Sequence, residues 1–383
     1  MRSLADYIVG YSAASTAQQN DKSQNLMNLL EQQLDYPFAE SIPAPGMAIE
    51  IVPGVLWVRM GLPFALNHIN LWLIADGEAN SPSWSIVDCG IANELTQQAW
   101  EALFQTNHPA LRGLPVSRVI ATHCHPDHVG LADWLCTRWQ APLWMTAGEY
   151  GFARMMSAGL PGVDGSAMLP HFRRHGLRDH SLQEKVLERK NYYPSLVPSM
   201  PSAYHRLHDG LCIEIGGKIW RVITGFGHSP EHASLYCAEL NLLISGDMLL
   251  PRISTNVSVF AVEPEANPVQ QYLDSLKKYT DLPQDVLVLP SHGKPFVGAQ
   301  RRIQQLNAHH AERLAEVKAA CVQAQSAADI VPIMFRRPLD THQLTFALGE
   351  ALAHLHKLWF DGILQRELGS DGILRFRTIC DET

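Results

Sequence analysis

The sequence predicts a layered α/β domain, and three observations carry that expectation. Short apolar runs of β-type composition dominate from Met47 onward: "AIEIV", "VLWVRM", "INLWLIA" and "WSIVDCG". Helix and strand signals then alternate through "ELTQQAWEALFQTN", "VSRVIATH", the apolar-periodic stretch after Asp127, and "APLWMT". After an interruption the strand signals return in "LCIEIGGKIWRVITGFG", "ASLYCAEL", "NLLISGD" and "DVLVLPSHG".

Composition agrees with a globular chain. Of 383 residues, 46% are hydrophobic and 18% charged, enough for a large core and for two or three domains. A net charge of -8 disfavours a nucleic-acid binder driven by global charge. The first residues are too short in apolar run, and too interrupted by Asp6, for a secretory signal. No window approaches the ~20 apolar residues of a membrane span, so the expectation is a soluble protein without a membrane partner. Cys89, Cys124, Cys136, Cys212, Cys237, Cys321 and Cys380 are scattered and form no CxxC pair. That pattern predicts reduced thiols in a cytoplasmic protein and excludes a structural zinc finger.

The chain divides into parts of different character. Residues 1–46 form a polar, helix-prone extension ("NLMNLLEQQL") ending in the breaker-rich "SIPAPG". Residues 47–299 carry the α/β pattern, interrupted over 147–208 by a mildly basic insert of mixed helix and loop signals. Residues 300–383 predict three helices and a hairpin around "GSDG", a plausible winged helix. Its ten basic and ten acidic residues favour packing or homodimerisation over contact with DNA.

The chemistry concentrates in "ATHCHPDHVG", where His123, His125, Asp127 and His128 follow a predicted strand and precede a helix. A loop there can splay alternate side chains toward one point, and imidazole with carboxylate suits zinc, iron or manganese. A helix cap would explain Asp127 but not three imidazoles. Each further predicted strand also ends in a polar group: His228 after "VITGFG", Asp247 after "LLISG", His292 after "VLVLPS". Strand ends at a sheet edge present ligands to a shared crevice. Cys124, between two of these residues, reads as a packed thiol. His68 could lie near the pocket mouth, but no spacing rule makes it a ligand.

The order His123-x-His125-x-Asp127-His128, then His228, Asp247 and His292, resembles the metallo-β-lactamase superfamily of hydrolases over roughly Met47 to Gly298. The resemblance implies a four-layer αβ/βα sandwich with a helical insert, and it makes residues 47–299 the catalytic domain. It implies two divalent metal ions, zinc first among the candidates: one held by His123, His125 and His228, the other by Asp127, His128 and His292, with Asp247 bridging. Asp88 in "IVDCG" and His232 in "GHSPEHA" match outer positions that orient ligands. Two such ions about 3.5 to 4 Å apart generate a shared hydroxide that attacks the substrate, with Asp127 holding it in place. The aspartate at position 247 argues against a true β-lactamase, and His125 against a di-iron flavoprotein. What remains is hydrolysis of a small anionic thioester or ester in the manner of glyoxalase II, with a lactonase or a lactamase-like endoribonuclease as the alternative. Arg173, Arg174 and Arg178 in the insert are candidates for binding the anionic group.

Overall fold

Side chains along the predicted strands alternate between two destinations, and this sets the layers. In β2 (Val55–Gly61) and β3 (His68–Glu78), Leu56, Val58, Met60, Leu71 and Leu73 enter one core, while Val55, Trp57, Trp72 and Ile74 enter another. A strand buried on both faces must lie between two layers, so these strands belong to a sandwiched sheet. The computed structural model describes residues 29–38, 41–64, 66–105, 107–163, 165–188 and 191–379. Most of the expected N-terminal helical extension, and Cys380, lie outside the described residues.

Seven strands form the first sheet in chain order: β1 (Ala48–Val52), β2, β3, β4 (Ser81–Val87), β5 (Val116–Ile120), β6 (Leu143–Thr146) and β7 (His205–Leu207). Pairing is antiparallel from β1 to β4 and parallel from β4 to β7. The second sheet runs in order β13 (Phe296–Val297), β12 (Leu287–Pro290), β11 (Leu242–Gly246), β10 (His232–Cys237), β9 (Lys218–Gly225), β8 (Cys212–Ile215). Val55, Trp57, Trp72, Trp220, Val222, Leu235 and Ile244 fill the space between the sheets.

Helices cover the outer faces. Trp100 and Leu103 of α1 (Glu94–Leu103) and Leu135 of α3 (Ala132–Trp139) pack on the first sheet, with the single turn α2 (Pro126–Val129) between them in sequence. The second sheet is covered by α8 (Pro268–Lys277) and by three C-terminal helices: α9 (Ala299–Ala320), α10 (Ala327–Met334) and α11 (Thr341–Phe360). A hairpin of β14 (Leu364–Leu368) and β15 (Leu374–Thr378) closes the chain. The result is the four-layer αβ/βα sandwich that the family resemblance implied. Among the described residues no helix is long and apolar enough to cross a membrane.

The insert contributes α4 (Ala147–Ser157), α5 (Gly165–Arg174), α6 (His180–Glu188) and α7 (Tyr192–Leu196). Ala153 of α4 and Tyr193 of α7 join the core outside the first sheet, whereas Leu169, Phe172, Leu182 and Val186 of α5 and α6 join the core outside the second. The insert therefore passes from one outer layer to the other.

Candidate metal centre

Each strand that ends at one edge of the sandwich hands a polar side chain to the same place. The loop after β5 supplies His123 and His125, and α2 supplies Asp127 and His128. His228 follows β9, Asp247 follows β11 and His292 follows β12. The structure brings all seven together in two groups. His123, His125, His228 and Asp247 each offer one atom within 4.8 Å of the others, and so do Asp127, His128 and His292.

Asp247 faces both groups at once. Its Oδ2 lies 3.4 Å from His228 Nε2, and its Oδ1 lies 3.4 Å from His292 Nε2 and 3.6 Å from His128 Nε2. In the first group His123 Nε2 is 2.8 Å from His125 Nδ1 and 3.3 Å from His228 Nε2. In the second, Asp127 Oδ2 is 3.4 Å from His292 Nε2.

The hydrogen-bond network assigns the protons on these rings. Thr122 Oγ1 donates to the Asp88 carboxylate, so it must accept from His123 Nδ1 at 3.1 Å. His128 Nδ1 donates to Asp88 Oδ2 (2.8 Å), His228 Nδ1 to the Asn256 carbonyl (2.8 Å), and His292 Nδ1 to the His68 carbonyl (2.7 Å). With Nδ1 protonated in all four, every Nε2 turns a lone pair inward. Acceptor atoms thus face acceptor atoms, and His128 Nε2 and Asp247 Oδ1 are buried with no hydrogen-bond partner among the described residues. A buried acceptor left unpaired costs ~1–3 kcal/mol. Cations at the two centres satisfy all of them, so the donor set fits metal ions.

The electrostatics agree. Burial, followed by the neighbouring imidazoles, pushes His123 and His125 well below the ordinary histidine value, which keeps them neutral ligands. Burial opposes charge on Asp247, yet His292 and His128 hold its carboxyl well below the usual range. Burial also opposes charge on His128, but Asp88, Asp127 and Asp247 lift it to about 10. The carboxylates around this ring therefore attract whichever cation is present, proton or metal.

Asp88 and His232 stand one layer out. Asp88 Oδ1 accepts from the Thr122 amide (2.7 Å), and its Oδ2 fixes the His128 ring. His232 Nε2 accepts from the Asp247 amide (3.1 Å), which sets the backbone of the bridging residue. Gly246 makes this approach possible: its φ is +54°, and a Cβ there would lie 2.2 Å from His232 Nε2.

Family models match at this point. Residues 67–292 fit the model of the Metallo-beta-lactamase superfamily, and residues 314–379 fit that of a Metallo-beta-lactamase-like, C-terminal domain. The chain belongs to the metallo-beta-lactamase superfamily. By that membership it is a metal-dependent hydrolase.

Relatives in the superfamily share most of its length. A beta-lactamase domain protein from Burkholderia ambifaria is 54% identical, with a TM-score of 0.86 over 92% of this chain and 100% of the other. A metallo-beta-lactamase family protein from Thermus thermophilus is 28% identical, with a TM-score of 0.70 over 86% of this chain and 100% of the other. The probable metallo-hydrolase YqjP of Bacillus subtilis (strain 168) is 24% identical over 66% of this chain and 75% of its own.

Among the described residues, no hydrogen bond or ion pair joins the insert arginines to a member of either ligand group. Arg173, Arg174 and Arg178 are all exposed; Arg173 bonds Gln183 of the insert, and Arg178 pairs with Asp371 of the C-terminal hairpin loop. Their helix turns its apolar side to the core and its charged side to solvent, as an amphipathic helix does. Four site-adjacent residues escaped the sequence reading: Thr122, which links Asp88 to two ligand rings, and Arg59, Glu149 and Tyr193. Arg59 donates to the Gly293 carbonyl, next to His292, and to Asn70 Oδ1. Nothing local in the sequence marks them, because their partners are far away along the chain. Cys124 is buried among Val129, Leu131 and Tyr193, in the core outside the first sheet.

Proposed function

We propose that this superfamily member hydrolyses a small anionic thioester or ester at a dinuclear centre. The observation that carries the reading is Asp247, one carboxylate with its two oxygens turned toward two separate ligand groups. Bound ions would supply Lewis acidity and a water of lowered pKa. The nitrogen-rich first group suits zinc. The chain's own residues then orient and hold. Asp127, its side chain 17% exposed, is a partly accessible ligand and can accept a hydrogen bond from the attacking water. The buried Cys124 thiol, raised well above its ordinary value by burial and by Glu149, is no nucleophile.

Arg59 supports the anionic substrate. Its guanidinium is half-buried beside the loop that bears His292 and has no acidic partner among the described residues. Burial alone lowers it to about 10, still charged at neutral pH. A half-buried cation without a counter-ion suits a carboxylate or phosphate on the substrate.

The test is a parallel assay of acyl-thioesters, lactones and single-stranded RNA with protein of measured metal content. We expect about two ions per chain, as in other two-metal hydrolases. Arg59→Ala should raise KM for an anionic thioester roughly tenfold, the loss of one charged hydrogen bond, and leave a neutral ester nearly unchanged. RNA cleavage that depends on His125, with thioesters untouched, would overturn the reading.

A further inference from the structure

Glu149 is fully buried in the first turn of α4 and takes no part in either ligand group. A carboxylate withdrawn from water costs several kcal/mol unless it is fully hydrogen-bonded. Its partners show what it is for. Oε2 accepts from the Cys124 amide (2.8 Å), while Oε1 accepts from Ser229 Oγ (2.6 Å) and from the Glu231 amide (2.6 Å). Cys124 lies between His123 and His125, and Ser229 follows His228. One carboxylate therefore joins the two loops that supply all three histidines of the first group.

The next peptide along, between Cys124 and His125, is also held. Tyr193 of α7 donates its hydroxyl to the Cys124 carbonyl. The first turn of α4 grips the second loop again, through Thr146 Oγ1 to the Glu231 carbonyl (2.7 Å) and the Gly148 amide to Glu231 Oε2 (3.0 Å). Both Glu149 and Tyr193 come from the insert.

We infer that Glu149 and Tyr193 are positioning residues that fix the two peptides on either side of Cys124 and thereby hold His123 and His125 against His228 in register for one metal ion. This rests on the dinuclear reading above. The insert acts here as a clamp on the ligand loops.

The chemistry makes Glu149→Gln a sharp probe. Each carboxylate oxygen receives one backbone N–H, from Cys124 on one side and from Glu231 on the other, and a backbone N–H cannot reverse its role. A glutamine of the same shape offers one acceptor oxygen and one NH2 group. Whichever way it turns, one backbone N–H meets a donor.

The experiment titrates Co2+ and Zn2+ into full-length, metal-stripped protein, following calorimetry and the visible absorption of bound Co2+. His125→Ala and His292→Ala assign the two uptake steps to the first and second groups. Glu149→Gln should weaken uptake at the first group roughly 10–100-fold, in the range seen when a residue orienting a ligand is removed. The second group should stay within about threefold of wild type, inside the usual spread between measured contributions. Tyr193→Phe should give a smaller loss at the same step. Unchanged first-group affinity in Glu149→Gln, or equal loss at both groups, overturns the clamp. If Glu149→Gln does not fold by circular dichroism, Tyr193→Phe decides alone, and wild-type affinity in that variant overturns it. Fewer than two Co2+ bound by the wild-type chain would sink the dinuclear reading instead, independently of the clamp.

Discussion

Asp88 ends β4 in a left-handed conformation, φ 64°, and from that position one carboxylate serves both the Thr122 amide and the His128 ring. The arrangement combines two demands, a backbone that few side chains adopt and an acceptor for His128 Nδ1. Asp88→Ala meets neither, so zinc affinity at the second group should fall roughly 10–100-fold in a chelator competition. Unchanged affinity would mean that His128 is oriented by something else. Asp247→Asn tests the bridge directly, since an amide offers one oxygen where two are needed. Elemental analysis should find the variant with about one ion or fewer, against about two for the wild type. The seven candidate ligands were legible in the sequence because four cluster behind one apolar strand and each of the other three follows another. Thr122, Arg59, Glu149 and Tyr193 were not, because each acts through a partner distant in sequence. The insert arginines were read from a basic run alone, and such a run on an amphipathic helix looks the same whether its charged side meets substrate or water.

At the scale of elements, short apolar runs of β-type composition identified the strands, and their return after the insert signalled further sheet. What the pattern could not give is where the insert and the C-terminal helices dock. The segment after Asp247 shows the consequence. Asn256 accepts the His228 Nδ1 proton through its carbonyl, and its side-chain amide donates to Glu350 of α11 at 3.3 Å. Further along the same segment, the Val259 amide donates to the Gly349 carbonyl at 3.1 Å. Gly349 allows the close approach, since a Cβ there would meet Ser258 Cβ at 2.8 Å. A helix in the C-terminal part of the chain thus supports the residue that orients a ligand in the catalytic part. Gly349→Val should drive α11 and this segment apart, costing about 1–3 kcal/mol as overpacking does. It should also weaken metal uptake at the first group, through Asn256 and His228. Denaturant unfolding and Co2+ titration of the same variant check both effects, and a stability loss without any change in uptake would disconnect Asn256 from His228.

The largest core ignores the divisions visible in the sequence. Phe172 and Leu182 of the insert, Tyr272 of α8, Ile303 of α9 and Leu352 of α11 share it, so it runs across the 299/300 boundary that composition suggested. Histidines line this common interior: His171 and His175 on and just after α5, His310 on α9, His354 and His356 on α11, all buried. Burial is the first cause that lowers each of them: His171 and His354 to about 4, His175 and His310 to about 2, and His356 below its ordinary value. They fold as neutral rings, and His171 Nε2, His175 Nδ1, His310 Nε2 and His356 Nε2 have no hydrogen-bond partner among the described residues. Once unfolded, each takes a proton near pH 6.5, so below that pH the unfolded chain binds more protons than the folded one. Their contribution is therefore complete above pH 6.5 and is lost as pH falls toward the folded values. At pH 5 the loss is about 2 kcal/mol for each group that stays neutral when folded. Glu350 works in the opposite sense. Burial raises its carboxyl to about 7, so falling pH relieves it and offsets about one of the histidines. The histidines outnumber it, and the thermal midpoint of metal-stripped protein should drop steeply between pH 6.5 and 5. Stripping the metal first keeps acid-driven metal release out of the comparison, and the ligand histidines, which titrate in wild type and variant alike, cancel between the two. His175→Gln should make the drop shallower by close to one proton in the dependence of stability on pH, even if the variant is less stable at pH 7. A midpoint that stays level from pH 7 to 5 would mean that these rings reach protons in the folded state.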